Sequence, residues 1–372
     1  PGTPERALYL VRDQVKLEEQ AAKSSMIEVP KGDTNYRIGV INVPSFYQDY
    51  AARSRGDENY TSTTRDVARL IQELSEEGID GLVVDLRQNG GGHLSEATEL
   101  SGLFIDQGPV VQLRETRGNI QVLDDPNPDS VYDGPLAVLV DRYSASASEI
   151  FAAAIQDYKR GVIVGQQTFG KGSVQNLFDL DRFMRGSGYG QLTLTIGKYY
   201  RITGESTQHR GVMPDISLPS MVDASIVGES TRDSALPWDR IQQTSFMTDV
   251  DLDPYLQLLQ TRHTERATED PDYNHLVDNI EAAGFFRNQD EVSLNIDVRT
   301  AEREDIQAQQ LARENERRIA LGLNPIGSMD ELDTSEPTDV LLKQATQVVV
   351  DIATLSTSTR TPIIGSETAS IH

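Results

Sequence analysis

The sequence predicts an α/β fold over residues 36–218 and a mainly helical region beyond Trp238. Three observations carry this reading. Short, continuous apolar runs at Gly81 to Leu86, Leu136 to Val140 and Val162 to Val164 resemble strands buried on both faces of a sheet. Helical patterns fall between them, as in βαβ crossovers. After Trp238 the apolar residues recur mostly at helical spacing.

Residues 1–30 are charge-rich, with one apolar stretch from Ala7 to Val11; alone they bury no core and are expected to form a connector. Arg37 to Val43 is the first expected strand. Thr63 to Gly78 reads as an amphipathic helix, because Val67, Leu70, Ile71 and Leu74 fall at i, i+3, i+4 and i+7. Thr63 or Thr64 would cap its start and Gly78 its end. A helix from about Ala147 to Tyr158 separates the second and third apolar strands. Leu192, Leu194 and Ile196 alternate as in a half-exposed strand. Residues 219–237 turn polar and read as a linker. Helices are expected at about 253–266, 272–283, 300–321 and 338–355, with one short strand at Val292 to Val298 and a disordered tail at 356–372.

At 372 residues the chain is long enough for about two or three domains. Its 58 acidic against 34 basic residues give a net charge of -24, which repels nucleic acid and anionic lipid, so neither is expected as a partner. No apolar run is long enough to span a membrane. With no cysteine there are no disulfides, no thiolate catalysis and no cysteine-bound metal. The sequence starts at Pro1 without a visible signal peptide, as expected of a processed or excised fragment.

Three small-residue segments each follow a buried strand, where open α/β sheets place their sites. In Asp85 to His93, Gly90, Gly91 and Gly92 let backbone N–H groups approach a ligand or an oxyanion, although a tight strand-to-helix turn explains the same glycines. In Asp141 to Glu149, Ser144, Ser146 and Ser148 alternate with alanines before a helix whose N-terminus suits a developing negative charge. Ser146 with Glu149 equally matches the S-x-x-E capping box. Gly165 to Lys171 is nearly a phosphate-binding loop, but Gly172 stands where Ser or Thr would bind magnesium, and SVQNLF is a poor helix start. The other reading makes Lys171 a general base, which requires burial or a cationic neighbour to lower its proton affinity. A solvated lysine is the ordinary alternative.

A Ser-His-Asp triad would need His93 or His209, and no carboxylate near His93 reads as its partner. Among Lys159, Lys171 and Lys198, only Lys171 is flanked by glycines after a buried strand. A Ser–Lys dyad is therefore the economical arrangement, although spacing alone does not bring Ser146 and Lys171 together. No zinc or calcium ligand pattern is present.

DLRQNGGG, VDRYSASASEIFAAAIQDY, VGQQTFGKGSVQ and GESTQHRGVMPD, in that order, resemble the tail-specific, C-terminal processing proteases, the S41-type serine peptidases, and most closely the periplasmic Prc/Tsp type. The likeness covers residues 5–220 strongly and the later helices more weakly. It implies a crotonase/ClpP-like α/β protease core and a serine endopeptidase with no metal or cofactor. By motif, Ser146 is the nucleophile, Lys171 the general base and Gln175 the residue orienting the lysine. The N–H groups of Gly92 and Ala147 form the oxyanion hole, and Glu149 and Asp157 act as supports. The expected organisation is a PDZ trailing edge and connector at 1–35, protease core at 36–220, linker at 221–237, helical domain at 238–355 and tail at 356–372. The family implies substrates with apolar, unstructured C-termini, a periplasmic location and, for some members, a lipoprotein adaptor. The chain departs from the family in having no room for a complete PDZ domain. A non-catalytic peptide-binding scaffold of the same fold is the rival reading, and a nucleotide binder the third.

Overall fold

The computed structural model describes residues 21–127, 129–183, 186–248, 252–287, 291–332 and 338–359. The part of the expected PDZ edge at 1–20 and the tail from 360 onward lie outside the described residues.

A six-stranded sheet forms the centre. Its strands are β1 (Lys23–Lys31), β2 (Thr34–Asn42), β3 (Gly81–Asp85), β6 (Leu136–Val140), β7 (Val162–Gly165) and β10 (Ile216–Ser217), in that spatial order. β1 and β2 are antiparallel; every later neighbour is parallel. A second, antiparallel sheet runs β5 (Ile120–Asp124), β4 (Pro109–Glu115), β9 (Gln191–Tyr200), β8 (Ser173–Asp179).

The apolar runs are strands buried on both faces. Along β3 and β6, Leu82, Val84, Leu136, Val138 and Val140 enter one core, while Val83, Ala137 and Leu139 enter another. Strand alternation sends neighbouring side chains to opposite faces, so each strand needs cover on both sides. On one side α2 (Thr63–Glu77), α3 (Leu94–Ser101) and α4 (Ala147–Asp157) supply Val67, Leu70, Ile71, Leu74, Leu100, Phe151 and Ile155. α1 (Tyr50–Ser54) is a short surface turn. On the other side lies the last helix. α5 (Asp253–Glu269), α6 (Pro271–Arg287) and α7 (Ile296–Ala320) follow one another, and α8 (Val340–Thr359) then lays Ala345, Val348, Val349 and Ile352 against the sheet, with Leu259 of α5 beside them. The helical region thus shares a core with the α/β region. The polar stretch at 221–237 is also anchored, since the Arg142 guanidinium donates to the carbonyls of Val227 (2.7 Å) and Ala224 (3.3 Å).

Three local expectations need correction. The stretch from Lys23 to Lys31, read as part of a connector, is β1, paired with β2 over nine positions through a turn in which Gly32 has φ 59°. Its mixed composition suits an edge strand with only one neighbour. The strand expected at Val292 to Val298 does not form: Asn295 caps α7 by accepting the Asp297 N–H at 2.8 Å, so the helix starts at Ile296. α2 is capped by Ser62 rather than Thr63 or Thr64, while Gly78 ends it in the left-handed region, φ 77°.

Candidate active site

The three small-residue segments emerge side by side from the carboxyl ends of β3, β6 and β7. In the first, Asn89 is the organiser. Its side-chain amide donates to Val43 O at 2.8 Å and its Oδ1 accepts the Gly91 N–H at 2.9 Å. Its carbonyl accepts the Ala145 N–H at 3.0 Å and the Ser148 hydroxyl at 2.9 Å. Gly91, φ 103°, then lies so close to the second segment that a Cβ there would sit 2.8 Å from Ser146 Cβ and 3.0 Å from Ala147 N. The glycines therefore permit backbone approach, and only glycine adopts such a φ freely.

The second segment separates three similar serines by their bonding. Ser144 is buried, donates to Leu86 O at 2.8 Å and accepts the Asp141 N–H at 3.0 Å. Ser148 is buried and spent on Asn89. Ser146 is partly exposed, and its hydroxyl proton has no acceptor among the described residues. It stands at the N-cap of α4 with φ 58° and ψ -112°, a conformation that costs a non-glycine residue roughly 1–3 kcal/mol and persists only when its surroundings enforce it. The enforcement is the capping box read from the sequence: Glu149 Oε2 accepts the Ser146 N–H at 2.8 Å. Capping uses the serine's N–H and leaves its O–H uncommitted, so the two readings of Ser146 are compatible. As the first residue of α4, Ala147 has no acceptor for its N–H among the described residues, and the same holds for Gly92.

Glu149 also holds the third segment. Its Oε1 accepts the Thr168 hydroxyl at 2.6 Å and the Gly170 N–H at 2.7 Å; its Oε2 accepts the Lys171 N–H at 3.0 Å. One buried carboxylate thus ties the backbone of Ser146 to that of Lys171. Burial pushes the Glu149 carboxyl up to about 7, opposed by these four donors. Tyr199 adds a clamp from β9. Its hydroxyl donates to Lys171 O and lies 3.2 Å from Ser146 O, and its N–H donates to Gly172 O at 2.9 Å. After Lys171 the chain enters strand β8, so no helix N-terminus stands where a phosphate-binding loop requires one.

Gln175 lies just beyond a β-bulge in β8, exposed, with its Nε2 donating to Ser173 Oγ at 3.0 Å. Asp157 ends α4 and binds Arg201, with Arg201 Nη2 at 2.5 Å and Nε at 3.1 Å from Oδ1. Burial raises its carboxyl above the usual range against the pull of that guanidinium. The Asp157–Arg201 pair fixes the far end of α4. His93 is exposed before α3, and His209 lies behind the lysine loop, its N–H donating to Gly170 O at 2.8 Å. Among the described residues neither ring is hydrogen-bonded to Ser146, and His209 Nε2 has no hydrogen-bond partner.

Asn89 and Tyr199 escaped the sequence reading. Asn89 had a signal in the Asn-Gly dipeptide that marks a turn. Tyr199 had none beyond its place at the end of a strand. No group of three or more potential metal ligands is found among the described residues, and no helix among them is long and apolar enough to cross a membrane.

The sheets, the three loops and the strained serine at the head of α4 describe a mixed α/β protein with three loops gathered at one end of its central sheet. Residues 37–218 match Peptidase family S41, and residues 222–354 match the C-terminal domain of tail specific protease (DUF3340). Residues 37–218 belong to peptidase family S41. The chain is 40% identical over 360 residues to the tail-specific protease of Haemophilus influenzae, covering 94% of this chain and 49% of that protein. It is 32% identical over 237 residues to the chloroplastic C-terminal processing peptidase of Tetradesmus obliquus, covering 61% of this chain and 47% of that one. Among solved structures, the photosystem II D1 C-terminal processing protease matches with a TM-score of 0.44 and 29% identity, over 55% of this chain and 50% of its own. The chain thus spans about half the length of the curated relatives it matches.

Proposed function

We propose that this chain is the catalytic part of a serine endopeptidase that cleaves proteins with apolar, unstructured C-termini. The observation that carries the reading is the Glu149 carboxylate, which holds the Ser146 and Lys171 backbones in one hydrogen-bonded unit. Ser146 is the nucleophile, favoured over Ser144 and Ser148 by its uncommitted hydroxyl proton. Neutral Lys171 takes that proton as Ser146 Oγ attacks the scissile carbonyl carbon. The N–H groups of Ala147 and Gly92 stabilise the oxyanion. Gly91 is less suited, because Asn89 already holds its N–H. Lys171 then protonates the departing amine as the C–N bond breaks, and water releases the acyl group from Ser146. The Gln175 amide, which spends Nε2 on Ser173, keeps Oε1 to receive a Lys171 N–H and orient it. Asp157 supports α4 from behind. Docking of the substrate's C-terminus on a PDZ domain, a periplasmic location and a lipoprotein adaptor are extensions that rest on the resemblance.

The test is cleavage of an unfolded protein with an apolar C-terminus, with products read by mass spectrometry, by this chain and by the full-length protein. Loss of cleavage in Ser146→Ala and in Lys171→Arg, whose guanidinium stays protonated, is expected. Retained cleavage in Lys171→Arg removes Lys171 as the base. Binding of the peptide without cleavage by either wild-type form supports the scaffold reading instead.

A further inference from the structure

The segment that presents the glycines is tied at its base to the C-terminal helices. Arg87, three residues before Gly90, lies between two carboxylates. Toward the sheet, its Nε and Nη2 donate to Asp85 at the end of β3, at 3.0 Å to Oδ1 and 2.6 Å to Oδ2. On the other side, its Nη1 and Nη2 donate to Asp339 Oδ1 and Oδ2 at 2.9 and 2.6 Å, a two-pronged contact across 252 residues of sequence. Asp339 is also the cap of α8: its Oδ1 accepts the Leu342 N–H at 3.0 Å and its carbonyl the Lys343 N–H at 2.9 Å. Burial raises the Asp339 carboxyl, but the Arg87 contact together with the Leu342 and Leu341 N–H donors leaves it below the usual range. Asp85, Arg87 and Asp339 form part of the wall of a cleft of about 680 Å³, which Tyr143, Met221 and Leu276 also line.

From Arg87 the restraint passes directly to the glycines. Gln88, φ 60°, is pinned by its N–H to Asp141 Oδ1 at 3.0 Å, and Asn89 then fixes Gly91 as described. We infer that the Arg87–Asp339 pair makes α8 a positioning element of the oxyanion loop, with Asp339 the positioning residue. This rests on the proposed role of the glycine loop in holding the oxyanion. A paired fork fixes direction as well as distance, which a point charge does not. Half of the pair is accessible, the Asp339 side chain being 42% and the Arg87 side chain 21% exposed, so added salt weakens it.

Asp339→Ser separates the two roles of the residue, since serine caps a helix about as well as aspartate but cannot pair with Arg87. We expect kcat to fall roughly tenfold with KM within about twofold, the signature of lost transition-state interactions. Inhibition by a peptide boronic acid, which bonds to Ser146 Oγ and places a boron hydroxyl in the oxyanion position, should weaken by a similar factor. The wild-type kcat should drop with added sodium chloride and the variant's should not. Unchanged kcat and boronate inhibition in Asp339→Ser overturns the inference, as does a lower melting temperature without either change. Absence of cleavage by the wild-type full-length protein, or persistence in Ser146→Ala, fails the protease reading instead, so the two failures are distinguishable.

Discussion

Glu149 is a carboxylate withdrawn from water and surrounded by donors, and these two facts pull its proton affinity in opposite directions. With its carboxyl near 7 in the folded protein and 4.5 as its ordinary value, the folded form holds a proton between those limits that the unfolded chain has shed. The stability this group contributes is therefore fully present below about pH 4.5 and is lost as pH rises through about 7. Glu149→Gln removes that titration, so the melting temperature of the wild type minus that of the variant should shrink between pH 5 and pH 8. A difference that is constant or grows with pH contradicts the burial argument. The same variant should lose at least about tenfold in kcat, because an amide accepts on one atom only and its NH2 group would face N–H donors. Tyr199→Phe, which frees the Lys171 carbonyl from its clamp, should lower kcat with less effect on KM. An unchanged pH–rate profile with normal kcat would make that tyrosine merely a core residue. These contacts also mark what could be read from the sequence. Ser146 and Glu149 are three apart, and local spacing announces their box. Asn89 reaches Val43 from 46 residues away and Tyr199 reaches Lys171 from 28, and no local pattern records such a meeting.

At the scale of elements, the best-read segments were those whose environment follows from period alone. The strands at Gly81, Leu136 and Val162 and the helices at Thr63 and Ala147 lie where apolar period placed them, because both faces of each strand and one stripe of α2 are buried. β1 was missed because an edge strand takes its identity from a partner and not from its own composition. The apolar residues from Val292 to Val298 misled because no strand among the described residues pairs with them: Leu294 is 99% exposed. The close seat of α8 on β3 was equally invisible, although its enabling residue is plain in the structure. A Cβ on Gly81 would overlap Val349 Cγ1. Gly81→Val should therefore lift α8 and cost about 1–3 kcal/mol, as overpacked cores do. Val349→Ala should recover part of that loss in the double variant, measured by denaturant unfolding. Independent, additive losses would show that the two residues do not meet.

Across the whole molecule, the sheet is a shared wall between two cores, and the second core is closed by α8, the last helix among the described residues. Removing residues 338–372 would bare Val83, Ala137, Leu139 and Val164 on the sheet's second face. Each valine or leucine among them is worth about 1.5–3 kcal/mol when buried, against a total of about 5–15 kcal/mol for a typical domain. The truncated chain should be insoluble or lack cooperative unfolding; a soluble, cooperatively unfolding product would show that the α/β region stands by itself. The expected boundary at residue 220 follows the sequence motifs, whereas the packing crosses it, and composition alone did not show that a helix so late in the chain covers a sheet so early in it. The carboxylate at the centre of the site has a consequence for motion as well. It accepts the N–H groups of Ser146, Gly170 and Lys171, which belong to two loops separated by a helix and a strand. Deuterium uptake at these three amides should share a single opening event, so that the Ser146 turn and the Lys171 loop breathe together and the candidate site is either assembled or wholly undone.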